Sequence, residues 1–100
     1  MDKQRFNILC AEYMGLDKFP YVSDILKTYC YDKETMELFN PYEDANDRNK
    51  VIEKMRVTVF CFAEPAKWKS YVNQMPGDFI SESRDESEIA CISAVLESEQ

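Results

Sequence analysis

The side chains that could do chemistry in this chain are carboxylates and thiols, because its 100 residues include no histidine. The lack of histidine removes Ser-His and Cys-His pairs and every His-ligated metal site. Adjacent acids occur at Glu43-Asp44 and at Asp85-Glu86, with Glu88 close by. Glycoside-type catalysis needs two carboxylates about 5–10 Å apart in a cleft, and no pattern here marks a cleft. We therefore predict no catalytic residues and no enzyme activity.

The four cysteines, Cys10, Cys30, Cys61 and Cys91, are widely spaced and lie among apolar neighbours. No pair has the C-x-x-C spacing of a zinc or redox site. The spacing favours four small buried hydrophobic residues in a reducing compartment, with two disulfides or a four-thiolate site as alternatives. Two isolated glycines cannot form a phosphate-binding loop, and no calcium-loop motif occurs. We predict no metal and no cofactor.

Charge is distributed unevenly along the chain, whose formal net charge is −7. Residues 1–75 hold 12 acids and 11 bases, whereas residues 76–100 hold seven acids and one base. An acidic balance argues against direct contact with nucleic acid. The acidic end is either a solvated surface that helps solubility or a face that docks a basic protein partner. The candidate contacts for such a partner are Glu82, Asp85, Glu86 and Glu88.

Aromatic residues provide a second set of candidate binding residues. Tyrosine and tryptophan are common anchors at protein interfaces, although in a small domain they also fill the core. The candidates are Tyr29, Tyr31, Tyr42, Trp68 and Tyr71. The segment Lys67-Trp68-Lys69 has the composition of a stacking site for single-stranded nucleic acid, which the acidic balance of the chain disfavours.

Three amphipathic segments with helical spacing must position these residues. Each is bordered by a residue type that commonly begins or ends a helix. The predicted helices cover residues 2–14, ending at Gly15; residues 44–56, capped by Asp44 or Asp47; and about residues 86–98, where Asp85 and Glu88 resemble a capping box.

Five short segments between the helices predict β-strands. Residues 25–31 and 35–39 flank a polar turn and indicate a hairpin. Residues 57–62 are almost wholly apolar, which is typical of a central strand covered on both faces. Residues 67–75 favour a strand, with a helix as the alternative, and residues 79–83 follow as a short strand.

The element order is therefore αββαβββα in a single domain over residues 1–100. It predicts an α+β fold of the α/β/α-sandwich type, with three helices and a small, antiparallel-rich sheet. No apolar run reaches the length of a membrane span, and no signal-type stretch follows the N-terminus. We expect no membrane association and a cytoplasmic location.

Three motifs, the second in two parts, resemble those of the phage ABA sandwich domain, a family of small phage and prophage proteins. They are residues 11–15 (AEYMG), 40–44 (NPYED), 51–55 (VIEKM) and 89–96 (IACISAVL). The resemblance covers most of the chain and implies the same layered fold in a phage or prophage accessory protein. The family has no established activity, so it implies no catalytic residues.

The sequence therefore favours a non-enzymatic protein-interaction module of phage or prophage type. Its specific form would be an acidic inhibitor of a basic host protein. The alternative is a structural or assembly accessory that acts as a homo-oligomer through a sheet edge or an aromatic patch.

Overall fold

A computed structural model describes residues 2–16, 39–62, 66–73 and 77–98 of the chain. Its order is α1 (Lys3–Met14), α2 (Ala45–Met55), β1 (Val57–Phe62), β2 (Lys67–Val72), β3 (Phe79–Ser81) and α3 (Arg84–Ser98). Helices and one antiparallel sheet confirm the predicted α+β class. The predicted hairpin over residues 25–39 lies, apart from its last residue, outside the described residues.

The chain divides into two compact units, residues 1–51 and 52–100, with the boundary inside α2. The prediction of a single domain over the whole chain stays a prediction. Each unit is described by itself below.

Helix α1 of the first unit begins one residue later than predicted and ends at Gly15, as its sequence signal indicates. The Asp2 side chain accepts a hydrogen bond from the backbone N–H of Arg5 at 2.8 Å, which caps the N-terminus. Gly15 ends the helix with φ 73°, a left-handed conformation that glycine adopts without steric cost. The buried stripe of the helix consists of Phe6, Asn7, Cys10 and Ala11. It therefore includes a polar residue, Asn7, that hydrophobic spacing alone does not select.

Helix α2 is capped by Asp44, whose side chain accepts a hydrogen bond from the backbone N–H of Asn46 at 2.9 Å. The other predicted cap, Asp47, instead accepts a hydrogen bond from the backbone N–H of Asn40 at 3.0 Å. The buried side of α2 is formed by Arg48, Val51 and Met55.

The second unit contains the sheet, whose strand order is β1-β2-β3 with both pairs antiparallel. The predicted strand over residues 67–75 is confirmed as β2, and the helical alternative is wrong. The prediction that β1 is covered on both faces is wrong, because its Phe60 and Phe62 are exposed. Among the described strands, β2 lies between β1 and β3.

Helix α3 contacts all three strands and supplies most of the buried apolar residues of the second unit. It begins two residues earlier than predicted, because its cap is Ser83 and not Asp85. The Ser83 hydroxyl accepts a hydrogen bond from the backbone N–H of Glu86 at 3.2 Å. Ser83 and Glu86 have the S-x-x-E spacing of the ordinary capping box, so the predicted capping pair of Asp85 and Glu88 is wrong.

Candidate functional site

The register of the sheet assigns its side chains to two faces, since directly paired residues lie on the same side and successive residues alternate. Ser70 pairs with Val59 on one side and with Phe79 on the other. These residues belong to the face toward α3, which we call the inner sheet face. Lys69 pairs with Phe60 and Ile80, which therefore belong to the opposite face.

Two serine hydroxyls join the inner sheet face to α3. The buried Ser70 hydroxyl donates to the backbone carbonyl of Ser87 at 2.6 Å, and the buried Ser87 hydroxyl donates to the carbonyl of Phe79 at 2.6 Å. The two hydroxyl oxygens are 2.8 Å apart. Both hydroxyls are buried and hydrogen-bonded, so the two serines stabilise the packing of α3 on the sheet and are not arranged as nucleophiles.

Cys91 lies on α3 beside this serine pair and is fully buried. Burial raises the pKa of the Cys91 thiol, and a hydrogen bond with Ser70 partly opposes that shift. A thiol that stays protonated is a poor nucleophile and a poor metal ligand. The prediction of buried, free cysteines is confirmed for Cys91 and Cys10, but Cys61 is free and exposed. Cys30 lies outside the described residues.

The start of α3 carries a charged cluster with the one tryptophan of the chain. The Arg84 guanidinium lies 5.3 Å from the centre of the Trp68 ring and its Nε donates to Glu88 Oε1 at 2.8 Å. The Glu88 side chain is only 3% exposed, whereas that of Arg84 is 55% exposed. The cluster places a buried carboxylate beneath a cation that also covers an aromatic ring.

This cluster corrects one of the predicted acidic contacts. Glu88 is buried and ion-paired, because its helical position turns it toward the sheet, so it is not available to a partner. The structure leaves Glu82, Asp85 and Glu86 exposed at the start of α3. We call these three residues the acidic turn.

The second face, here the outer sheet face, is formed by alternating residues of all three strands. Its members are Thr58, Phe60 and Phe62 of β1, Lys67, Lys69 and Tyr71 of β2, and Ile80 of β3. Three large apolar side chains on it are exposed: Phe60 by 39%, Phe62 by 36% and Ile80 by 53%. Exposed apolar side chains gathered on one face mark binding surfaces more often than isolated ones do.

The aromatic rings of the outer sheet face contact one another edge to face. The ring centres of Phe60 and Phe62 are 5.3 Å apart and those of Phe60 and Tyr71 are 6.1 Å apart. Lys69 Nζ lies 5.8 Å from the Phe60 ring centre and 5.9 Å from that of Phe62, and it is ion-paired with Asp78 at 2.7 Å. These contacts hold the aromatic rings in place before any partner arrives.

The described aromatic candidates differ in their surroundings. Strand alternation places Trp68 on the inner sheet face, away from Lys67 and Lys69, so the three residues do not form one stacking site. Tyr42 contacts Phe6 with ring centres 5.6 Å apart in the first unit. Tyr71 belongs to the outer sheet face, while Tyr29 and Tyr31 lie outside the described residues.

The segment at residues 40–44, one of the motifs of the resemblance, has a structural role in the first unit. Asn7 Nδ2 donates to Asn40 Oδ1 at 2.9 Å, and Asn7 Oδ1 accepts from the backbone N–H of Tyr42 at 2.9 Å. Buried Arg48 donates to the carbonyls of Pro41 and Tyr42 at 3.2 and 3.1 Å. These bonds join the segment to both α1 and α2.

The acid pair at Glu43-Asp44 is arranged for structure rather than for proton transfer. Asp44 caps α2, and Glu43 is ion-paired with Lys3. The hydrogen bond from Lys3 lowers the pKa of the Glu43 carboxyl, whereas a general acid needs a raised one. Across the described parts of the chain, no group of three or more Cys, Asp and Glu residues could hold a metal ion.

Phe60, Phe62 and Ile80 were not among the predicted binding residues, although the sequence contains a signal for them. Lys67 and Lys69 alternate along β2, which indicates that the face they share meets water. Once the hairpin is aligned, these lysines stand opposite Phe62 and Phe60. The signal therefore depends on the register of a pair of strands and cannot be read from one strand alone.

No family model matches the chain, and no curated protein or solved structure matches it significantly. The resemblance to the phage ABA sandwich family accordingly stays a prediction. Among the described residues, no helix is long and apolar enough to cross a membrane.

Proposed function

We propose that this protein is a small, non-enzymatic interaction module that binds a protein partner through the outer sheet face. The observation that carries the proposal is the group of exposed apolar side chains Phe60, Phe62 and Ile80 on one face of a regular sheet. Contact with water makes such a group costly, and burial against a partner would remove that cost.

The packing of the side chains within this surface supports the proposal. Phe60 is held by edge-to-face contacts with Phe62 and Tyr71, and Lys69 lies against both phenylalanine rings. A surface ordered before binding loses less side-chain entropy when the partner arrives. Large, ordered apolar side chains at the centre of a contact are typical anchors of binding energy.

The acidic turn supports a second candidate, an acidic inhibitor that occludes a basic host protein. Its three members, Glu82, Asp85 and Glu86, are exposed at neighbouring positions of the chain. Attraction of this kind speeds association and weakens with salt. As part of this proposal, the protein is a phage or prophage accessory that acts in the host cytoplasm. It makes no direct contact with nucleic acid.

The two surfaces are distinguished by a capture experiment with three matched baits. The baits are the unchanged chain, a double variant of the outer sheet face (Phe62→Ser with Ile80→Ser) and a triple variant of the acidic turn (Glu82→Gln, Asp85→Asn, Glu86→Gln). Each is exposed to a bacterial lysate at low and at high salt, and the retained proteins are identified by mass spectrometry. We expect the outer-face variant to lose a partner that the acidic-turn variant retains at both salt concentrations.

The opposite result, loss with the acidic-turn variant and at high salt, would replace the outer sheet face by the acidic turn as the binding surface. Light scattering of the purified chain over a wide concentration range tests the alternative of a homo-oligomer. A mass that rises with concentration, and that falls to the monomer in the outer-face variant, would assign the face to self-association instead.

A further inference from the structure

We propose that the outer sheet face binds an amphipathic helix of the partner protein, with the apolar stripe of that helix on Phe60, Phe62 and Ile80 and acidic residues toward Lys67. This inference rests on the proposed function and narrows it to one kind of partner segment. It follows from the size of the face, from its place in the layered unit and from its charge.

The size of the face fits a helix better than a second folded domain. Strands β1 and β2 have six residues each and β3 has three, so the face measures roughly 20 by 14 Å at its widest, or about 250 Å² in all. A stable contact between two folded proteins buries about 800 Å² on each side. One helix is about 10 Å wide, and about 13 residues of helix span 20 Å, so a helix of that length covers the exposed side chains.

The layering of the unit also favours a helix. The sheet has large apolar side chains on both faces, but α3 packs only on the inner sheet face. A sheet with two apolar faces is usually covered by a layer on each. A helix on the outer sheet face would complete a helix–sheet–helix arrangement around the same three strands.

Charge sets the chemistry of the partner helix. Both lysines of the outer sheet face stand opposite an aromatic residue, Lys67 opposite Phe62 and Lys69 opposite Phe60. Asp78 already neutralises Lys69. Lys67 is exposed and has no ion-pair partner among the described residues. Among the described residues of the outer sheet face, the cation left for a partner is therefore at the Phe62 end, where an acidic residue beside the apolar stripe would meet it.

Two other occupants fit these observations less well. A second copy brings its whole net charge of −7, whereas the proposed helix needs only an acidic residue close to Lys67. The bases of a single strand of nucleic acid would need ring faces to stack on, whereas the Phe60 and Phe62 rings stand at 76° to each other.

The test uses two synthetic helical peptides of about 16 residues, a length that spans the face. Both have leucines at i, i+3, i+4 and i+7; one has glutamates beside the stripe and the other has lysines in their place. Each is titrated into the ¹⁵N-labelled full chain and followed by NMR chemical shifts. We expect the glutamate peptide to shift amides of β1, β2 and β3 and to bind about tenfold more tightly than the lysine peptide.

Matched variants separate apolar docking from general charge attraction. The double change Phe62→Ser with Ile80→Ser should weaken binding of the glutamate peptide at least tenfold. Lys67→Glu should remove its advantage over the lysine peptide, whereas Lys50→Glu on α2, with the same change in net charge, should not. The shift pattern of each free variant verifies that it is folded.

Several results would overturn the inference. They are no binding of either peptide at millimolar concentration, equal binding of both, and binding that the Phe62 and Ile80 changes leave intact. Shifts of the same amides caused by a thymidine oligonucleotide would point to nucleic acid, and shifts caused by raising the concentration of the chain alone would point to a second copy. If capture of a protein still depends on Phe62 and Ile80 while both peptides fail, the helix proposal falls and the proposed function stands.

Discussion

The two faces of the sheet are built from the same three strands but have different surroundings. On the inner sheet face, α3 covers the strands, and buried Ser70 and Ser87 exchange hydrogen bonds with backbone carbonyls. On the outer sheet face, Phe60, Phe62 and Ile80 remain partly in water. The difference shows that large apolar side chains in a strand do not by themselves indicate that both of its faces are covered.

The largest expected difference is between the reaction rates of two cysteines, Cys61 and Cys91. Comparing them shows which part of the sheet α3 shields from solvent. Cys61 of β1 is exposed, whereas Cys91 of α3 is buried and its pKa is raised by burial. We expect Cys91 to react with a maleimide at least ~1,000-fold more slowly than Cys61, because it must wait for the fold to open. Timed labelling followed by mass spectrometry of the peptides measures both rates, and urea-unfolded protein is the control. Similar rates in the folded protein would show that α3 does not protect the inner sheet face.

The next largest effect is on the free energy of unfolding, when a large side chain is truncated to alanine on the covered or on the uncovered side of the sheet. Ile92 of α3 is fully buried, so Ile92→Ala should lower the free energy of unfolding by about 2–4 kcal/mol. Phe62→Ala removes a larger side chain, but Phe62 is already 36% exposed, so we expect a loss of about 1 kcal/mol. Urea denaturation followed by the fluorescence of Trp68 measures both. Equal losses would mean that the outer sheet face is covered in solution.

A smaller loss of folding stability is expected when Ser70 and Ser87 of the inner sheet face are changed. Ser70→Ala or Ser87→Ala alone should cost about 1–2 kcal/mol, because each leaves a buried carbonyl without its hydroxyl donor. The double variant should cost less than the sum, since the two hydroxyls belong to one network. The same urea experiment gives the coupling energy. Strict additivity would show that the two hydroxyls act independently.

The smallest effect is expected on the outer sheet face itself. Lys69→Met keeps most of the aliphatic side chain over the aromatic rings but removes the charge that pairs with Asp78. We expect a change in stability of less than about 1 kcal/mol, because the pair is partly exposed. Asp78→Asn is the matched control and should have a similar effect. A loss of several kcal/mol from either change would mean that the ion pair is shielded from solvent.

Local signals predicted the elements of the fold well. The left-handed Gly15 and the cap at Asp44 are where the sequence indicates. Each signal acts over one helical turn, so neighbouring residues are sufficient to recognise it.

The candidate site was predicted less well, because it depends on pairing between elements. The position of β1 in the sheet and the exposure of Phe60 and Phe62 follow from strand order and register. Glu88 was expected at the surface as one of several acids, but its position relative to the sheet buries it beside Arg84. Neither result can be read from composition or from the spacing within a single segment.

A single residue, Arg56, joins the last turn of α2 to β1, and its φ of 60° is left-handed. This joint fixes the phase of the strand: with Met55 buried at the helix end and Val57 buried at the strand start, odd-numbered residues turn inward. One inserted residue at Arg56 that shifted the pairing of β1 with β2 by one residue would invert that phase and send Phe60 and Phe62 toward α3. The length of one connection thus decides which half of an apolar strand this protein presents to its surroundings.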